Sequence, residues 1–521
     1  MEWEWKYLIW SAIFLIPGLV FLFARKKSSC SYRLPPGPPG LPVFGNMFDL
    51  GALPHQTIAE MKNKYGSVIW LSIGSVSTMA ILSAKAAAEL FKNHDVSFAD
   101  RKVIDAMKVQ GFHKGSLAIA PYGSYWRLLR RIGTVELFVH KRINETVPVR
   151  RKCIDDMLLW IEKETTSVQK GTGVKVAHFV FLSTFNLLGN LFLSRDLVDP
   201  MSDKASKFLD AMKGIIQWFA TPNISDIFPG LRWLDLQGLR RKADRDVRTT
   251  LEIVSTLVKE RMNEDRQESG KRKDFLDVLL KFEGNGKDEP AKLSEHQINI
   301  FITNSLFLFP TPRTLVLQEM FFGGTETTSS SVEWALSELL CNPKVMAKVK
   351  EEIYEVVGPN RRFEESDIDN LHYMQAVVKE TLHLHPPFAF LVPRRAIQDT
   401  KFMEYDIPKD TQVFVNVWAI GRDPESWDDP LSFKPERFLG SNIDFKGQDF
   451  EFLPFGAGRR ICVGLPLGNR MLHFILGSLL HAFDWELECN VTSQSLDMKE
   501  RMGIAVSKSE PLKAIPRRIV A

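Results

Sequence analysis

The stretch PFGAGRRICVG (Pro454–Gly464) constrains this chain more than any other. Its glycines permit a tight turn and a close approach to a flat ligand. Phe455, Gly458, Arg460, Cys462 and Gly464 fall in the order F-x-x-G-x-R-x-C-x-G. The next run, LPLGNRMLHFILGSLLHAF (Leu465–Phe483), reads as a long apolar helix. A cysteine at the N-terminal end of such a helix gains thiolate character from the helix dipole. N–H groups in the turn can point at the sulfur as well. Arg460 is placed to pair with an acid group on the same ligand. The chain's 5 cysteines (Cys30, Cys153, Cys341, Cys462 and Cys489) are odd in number, far apart and free of any C-x-x-C pair. That excludes a disulfide framework and a zinc site, and it places the bulk of the chain in a reducing compartment.

A length of 521 residues, 45% of them hydrophobic, is ample for a large core. The balance of 67 basic against 63 acidic residues, +4 overall, argues against a nucleic-acid binder. The N-terminus carries YLIWSAIFLIPGLVFLFA (Tyr7–Ala24), 18 residues without a charge. As a helix it is roughly 27 Å long, enough to cross a bilayer with slight thinning. Arg25, Lys26 and Lys27 follow at once, which puts the C-terminal side in the cytosol. No small-residue cleavage site follows, so an uncleaved anchor is expected rather than a signal peptide. The prolines of RLPPGPPGLPVFGN (Arg33–Asn46) then read as a stiff linker. The expected organisation is an anchor over 1–27, a proline-rich hinge over 28–46 and one body over 47–521.

Helical periodicity dominates that body, as in DFLDVLLKF (Asp274–Phe282) and SVEWALSELL (Ser331–Leu340). Strand-like runs are short: SVIWLSIG (Ser67–Gly74), TMAILS (Thr78–Ser83) and QVFVNVWAI (Gln412–Ile420). Charged, glycine-bearing stretches at Asn263–Asp274 and Glu283–Lys292 read as surface loops. The fold expected is mainly α with a small β portion.

A cysteine thiolate is one of the axial ligands of haem iron, and it favours O–O cleavage. A lone cysteine in a glycine turn is ordinarily structural, but five matched positions favour the ligand. On these residues the chain resembles the cytochrome P-450 monooxygenases, in particular plant enzymes anchored in the endoplasmic reticulum. The resemblance runs through nearly the whole chain and implies haem b, with Cys462 as its iron ligand and Phe455 and Gly464 beside it. It implies that GGTETT (Gly323–Thr328) lies in a long central helix, where Glu326 and Thr327 deliver protons as general acids. It implies that WRLLR (Trp126–Arg130) puts Trp126 and Arg130 on one helix face towards a haem propionate. Arg394 of VPRR (Val392–Arg395) and Arg460 would complete the anion site by charge-assisted pairing. FKPERF (Phe433–Phe438) supplies Arg437, expected to lock onto Glu380 in the helix VVKETLHLHPP (Val377–Pro387).

Two features depart from the family pattern. Where the family carries arginine three residues after Glu380, this chain has His383. Histidine has fewer donors and lacks the rigid fork of arginine, so the network around Glu380 is expected to be weaker. A metal site from His383 and His385 is not expected, because residues two apart do not share a helix face. The second departure is NSLFLFPTPRTLVLQ (Asn304–Gln318), read as an insertion of roughly 15 residues that loops out, since Pro310 and Pro312 interrupt a helix interior. Retained non-coding sequence in the gene is the other explanation.

The resemblance places substrate contacts at Phe112, Leu117, Phe321, Phe322, Phe388, Phe390, Leu391, Ile504 and Val506, an apolar set with no charge. It points in particular to plant oxidases of monoterpenoid alcohols and iridoids, the geraniol hydroxylase and iridoid oxidase group. A small lipophilic terpenoid is expected as substrate, with phenylpropanoids or fatty acids as alternatives. The implied partners are O2 and an NADPH-dependent diflavin reductase on the same membrane, which would meet a basic face near Cys462 with Arg459 a candidate. Two rival readings stand: a haem-binding relative without turnover, and a structural membrane protein. Sequons at Asn144, Asn223 and Asn490 report topology, since a cytosolic body leaves them bare.

Overall fold

The computed structural model describes residues 32–167, 169, 171–199, 207–264, 274–275 and 312–519. The expected anchor at Tyr7–Ala24, nearly all of the expected helix at Asp274–Phe282 and residues 304–311 of the expected insertion lie outside the described residues.

Helices dominate the fold, and seven position the site: α1 (Pro54–Glu60), α2 (Ser124–Ile132), α3 (Val176–Leu193), α4 (Lys207–Ala220), α5 (Pro312–Cys341), α6 (His372–Leu384) and α7 (Leu465–Ala482). α3 is apolar all round because it is a core helix, and nearly every residue from Val176 to Leu193 is buried. It lies along α5, where Gly324 makes room: a Cβ there would stand 3.0 Å from Leu188.

From Pro312 onward the chain is helical, so that part of the expected insertion does not loop out and is continuous with the helix that carries Gly323–Thr328. The expectation failed because a proline disturbs the turn before it, through its missing N–H and its clash with the carbonyl four residues back, and leaves the residues after it free to be helical.

The main sheet runs in the order β1 (Val68–Ile73), β2 (Val76–Ile81), β5 (Gln412–Val415), β4 (Arg394–Arg395), β3 (Asp100–Arg101). β1 and β2 are an antiparallel hairpin with Val68 opposite Ile81, and β2 runs parallel to β5 with Thr78 opposite Gln412. The run expected as a strand over Gln412–Ile420 stops at Val415. Asn416 then accepts a hydrogen bond from the Ala419 N–H at 3.0 Å and caps a helical turn, Val417–Ile420. A second hairpin, β6 (Glu500–Arg501) with β7 (Ser507–Lys508), docks on α5. Ser330 and Trp334 both donate to the Val506 carbonyl, at 3.0 and 3.2 Å.

The proline-rich stretch is no free spacer where it is described. The Trp70 N–H donates to the Pro36 carbonyl at 2.9 Å, and the Ser72 N–H to Asn46 Oδ1 at 2.9 Å. A Cβ on Gly37 would collide with the Trp70 carbonyl, which explains a glycine among the prolines.

Candidate active site

The turn before α7 is built by its own sequence. Gly456 and Gly458 adopt φ of +73° and +68°, a region that strains other residues. A Cβ on Gly458 would lie 2.5 Å from Asp95 Oδ1. The Cys462 N–H donates to the Phe455 carbonyl at 2.9 Å, closing the loop. Its sulfur accepts from the N–H groups of Gly464 and Leu465, the start of α7. Cys462 is exposed, because it lines a cavity inside the fold. Burial pushes the thiol up, while the two N–H groups and the Arg130 guanidinium pull it down. Burial outweighs them and holds the thiol above its ordinary value, so a cation at the sulfur would supply what the turn alone does not.

The cavity is walled by residues from distant parts of the chain. Phe455, Arg460, Cys462 and Gly464 form its floor, and Gly323, Gly324, Thr327 and Thr328 of α5 lie on its wall. Trp126, Arg130 and Arg394 line it too, so every residue expected to bind the cofactor is there. Arg130, on α2, donates to the Ile461 carbonyl at 2.5 Å. Burial lowers its pKa, and Cys462 opposes that. Arg460 donates to the carbonyls of Ala99 and Ala120 at 2.9 and 2.7 Å and lies over the Trp126 ring, 4.1 Å from its centre. The Trp126 indole N–H is engaged with the Leu117 carbonyl at 2.8 Å, so its part is to carry Arg460.

Sequence reasoning missed one cation. Arg101 of β3 stands directly opposite Arg394 of β4, and both line the cavity. Like charges opposite each other destabilise a sheet unless an anion answers them. Asp95 answers part of this, pairing with Arg394 at 2.8 Å and with the Arg459 side chain at 3.0 Å. Burial pushes Asp95 up, but these contacts outweigh it and hold its carboxyl below the usual range. Arg459, the expected docking residue, is thereby tied down, though half its side chain remains exposed. Four guanidinium groups and one thiol around one cavity fit a flat dianionic group held through iron, as haem is. No cluster of three or more His, Cys, Asp or Glu that could hold a separate metal ion occurs among the described residues.

The oxygen-activating pair divides. Thr327 lines the cavity and gives its hydroxyl hydrogen to the Gly323 carbonyl at 2.7 Å. Glu326 is not on the wall. It is largely buried, which raises its pKa, and it feels Arg501 of β6.

The substrate residues divide as well. Phe112, Leu117, Phe388 and Leu391 line the cavity. Phe321 does not: it is fully buried among Phe185, Phe208 and Phe192, with ring centres 5.1, 5.3 and 5.7 Å away. Phe390 stacks on Phe414 at 4.6 Å in a separate cluster beside the sheet. Ile504 and Val506 are buried off the wall, where the Val506 carbonyl binds α5. The Phe322 side chain lies outside what is described. In their place stand residues with no motif to announce them: Thr184 and Leu188 on α3, Ile215, Trp218 and Phe219 on α4, and Met320 on α5.

Behind the floor, Glu380 is fully buried. Arg437 Nε approaches its two oxygens at 3.1 and 3.0 Å, and the Lys434 N–H donates to it at 2.8 Å. Arg437 also donates to the carbonyls of Asp428, Asp429 and Ser432, at 2.7, 2.9 and 3.1 Å. His383 Nδ1 lies 3.2 Å from Glu380, and its ring rests 4.1 Å from the centre of Trp427. One guanidinium answers one carboxylate, with the imidazole as an added hydrogen-bond partner. His385 turns away, to Glu338 at 2.7 Å and flat against Trp334.

Comparison with known proteins agrees with this geometry. The profile of the family described as cytochrome P-450 matches residues 35–514. Cytochrome P-450 76A2 of Solanum melongena is 58% identical over 99% of this chain and 100% of that protein. Iridoid oxidase of Catharanthus roseus is 50% identical over 98% of this chain and 96% of its own length. Geraniol 8-hydroxylase of the same plant is 38% identical, with 97% of each covered. A zebra fish cytochrome P-450 solved with progesterone superimposes with a TM-score of 0.72 at 24% identity, covering 89% of this chain and 99% of that one.

Proposed function

This chain belongs to the cytochrome P-450 family of haem-thiolate monooxygenases, and from that premise we propose that it oxidises a small lipophilic terpenoid or iridoid. The observation that carries this reading is one cavity holding Cys462 and Thr327, with a wall that, beyond the arginines and the hydroxyls of Thr184 and Thr328, is apolar. Relatives named for iridoid and geraniol oxidation support the substrate class.

When bound, the haem supplies the oxidising chemistry that places one atom of O2 in the substrate. Arg130, Arg394 and Arg460, with Arg101, would hold its two carboxylates, and Cys462 its iron. The apolar wall keeps bulk water from the reacting face and orients the substrate by shape. Thr327 Oγ holds a proton on the Gly323 carbonyl, and rotation about χ1 presents that proton to the cavity. Glu326, whose pKa burial raises against the pull of Arg501, is the group we assign to restore it.

We assign the electrons to an NADPH-dependent diflavin reductase. α2 turns Arg127 and Arg131 outward one helical turn apart, a basic edge suited to an acidic partner. We place the protein on the endoplasmic reticulum membrane through its N-terminal apolar run. In support, Phe48 and Trp233 are 64% and 80% exposed. Phe44, whose ring centre lies 5.4 Å from that of Phe48, meets Phe228 edge to face at 5.9 Å, which extends the apolar surface beside Phe48. Expression with a diflavin reductase and a substrate panel tests the reading. Oxidation of monoterpenoid alcohols or iridoids is expected; oxidation of phenylpropanoids or fatty acids alone would contradict it.

A further inference from the structure

Folded proteins leave few buried N–H groups without an acceptor, so an exception calls for an explanation. Away from the arginines, the cavity wall has few polar side chains, and most have no hydrogen to offer. The Thr184 hydroxyl donates to the Val180 carbonyl at 2.8 Å, Thr327 to Gly323 at 2.7 Å and Thr328 to Gly324 at 2.8 Å. Trp218 differs. Trp218 lines the cavity beside Ile215 and Phe219, it is 3% exposed, and its Nε1–H has no acceptor among the described residues. An indole nitrogen only donates.

We propose that Trp218 determines substrate specificity by donating its Nε1–H to an oxygen on an otherwise apolar substrate. The inference rests on the terpenoid reading above and narrows it: the preferred substrate already carries a hydroxyl or carbonyl and is not a bare hydrocarbon. Thr184 complements this, because a hydroxyl that donates to its own helix still accepts from a substrate alcohol. Nε1 itself is buried, so a bound oxygen must displace what covers it. An apolar ligand of the same shape would fill the cavity and leave the donor unanswered.

The test is equilibrium binding to the holoenzyme, read from the haem absorbance change, of a monoterpenoid alcohol and the hydrocarbon of the same skeleton. Wild-type protein is expected to bind the alcohol more tightly. Trp218→Phe, which keeps a ring and removes the N–H, is expected to weaken alcohol binding by about 5–10-fold and leave the hydrocarbon unchanged. Equal changes for both ligands, or none, would overturn the proposal. So would a wild-type protein that binds both ligands equally, a result that needs no variant to fold. If wild type binds neither while its haem is intact, the terpenoid reading itself fails, and this inference with it.

Discussion

Arg437 is the guanidinium that answers Glu380. Glu380 is fully buried, and Arg437 is the one Arg or Lys paired with it among the described residues. Removing that cation leaves an uncompensated buried carboxylate, at a cost of about 3–5 kcal/mol. Arg437→Met should therefore destabilise the protein strongly and release haem. His383→Phe keeps an aromatic ring against Trp427 and loses one hydrogen bond, about 1 kcal/mol. Denaturant midpoints and haem retention compare the two, and equal losses would refute this division. At Thr327, replacement by alanine should lower product formed per NADPH by about 10–100-fold with terpenoid binding intact. Product and NADPH measured together decide it. Glu500 titrates with a defined sign. Burial raises its pKa, but hydrogen bonds from His55 and Trp418 outweigh that and hold it at about 2, below its ordinary 4.5. Its stabilisation, up to about 3 kcal/mol, is complete above the ordinary value and is lost as pH falls towards the folded one. The stability gap between wild type and Glu500→Gln should be constant above pH 4.5 and shrink below it. A gap independent of pH would exclude this origin.

At the scale of elements, α5 shows what local sequence can and cannot say. The small residues and acid–threonine pair of Gly323–Thr328 were legible because they sit on consecutive turns of one helix. The helical state of residues 312–318 was not, because Pro310 and Pro312 read as breakers although a proline disturbs only the turn before it. Proline at buried Leu336, well inside α5, should accordingly cost about 3 kcal/mol or more. Calorimetric melting measures this, and a loss below about 1 kcal/mol would contradict it. The same distinction explains the site. The Cys462 turn, the Trp126–Arg130 pair and the Glu380 helix are local motifs and could be read residue by residue. Arg101 enters only because β3 pairs with β4, and Trp218 only because α4 lies over the cavity, so neither has a local signature. Phe321 misled for the converse reason: one residue's turn on a helix separates the cavity wall from an aromatic core.

At the scale of the whole molecule, Phe48 and Trp233 are exposed, and Phe44 meets Phe228 edge to face. On the proposed membrane placement, a cytosolic body leaves its sequons bare. Asn223 does not report on this, because it is buried and caps a turn through Ser225. Asn144 and Asn490 are exposed, so the mobility of the expressed chain with and without glycosidase reads the topology at those two sites. The central claim is that Cys462 and the arginines around it hold haem despite His383 and the segment over 304–318. The reduced, carbon-monoxide-minus-reduced difference spectrum of membranes expressing the chain tests it most directly, with Cys462→Ala alongside. We expect the red-shifted band of thiolate-ligated haem in the wild type and its loss in the variant. The same band in the variant, or no band from folded wild-type protein, would contradict the account.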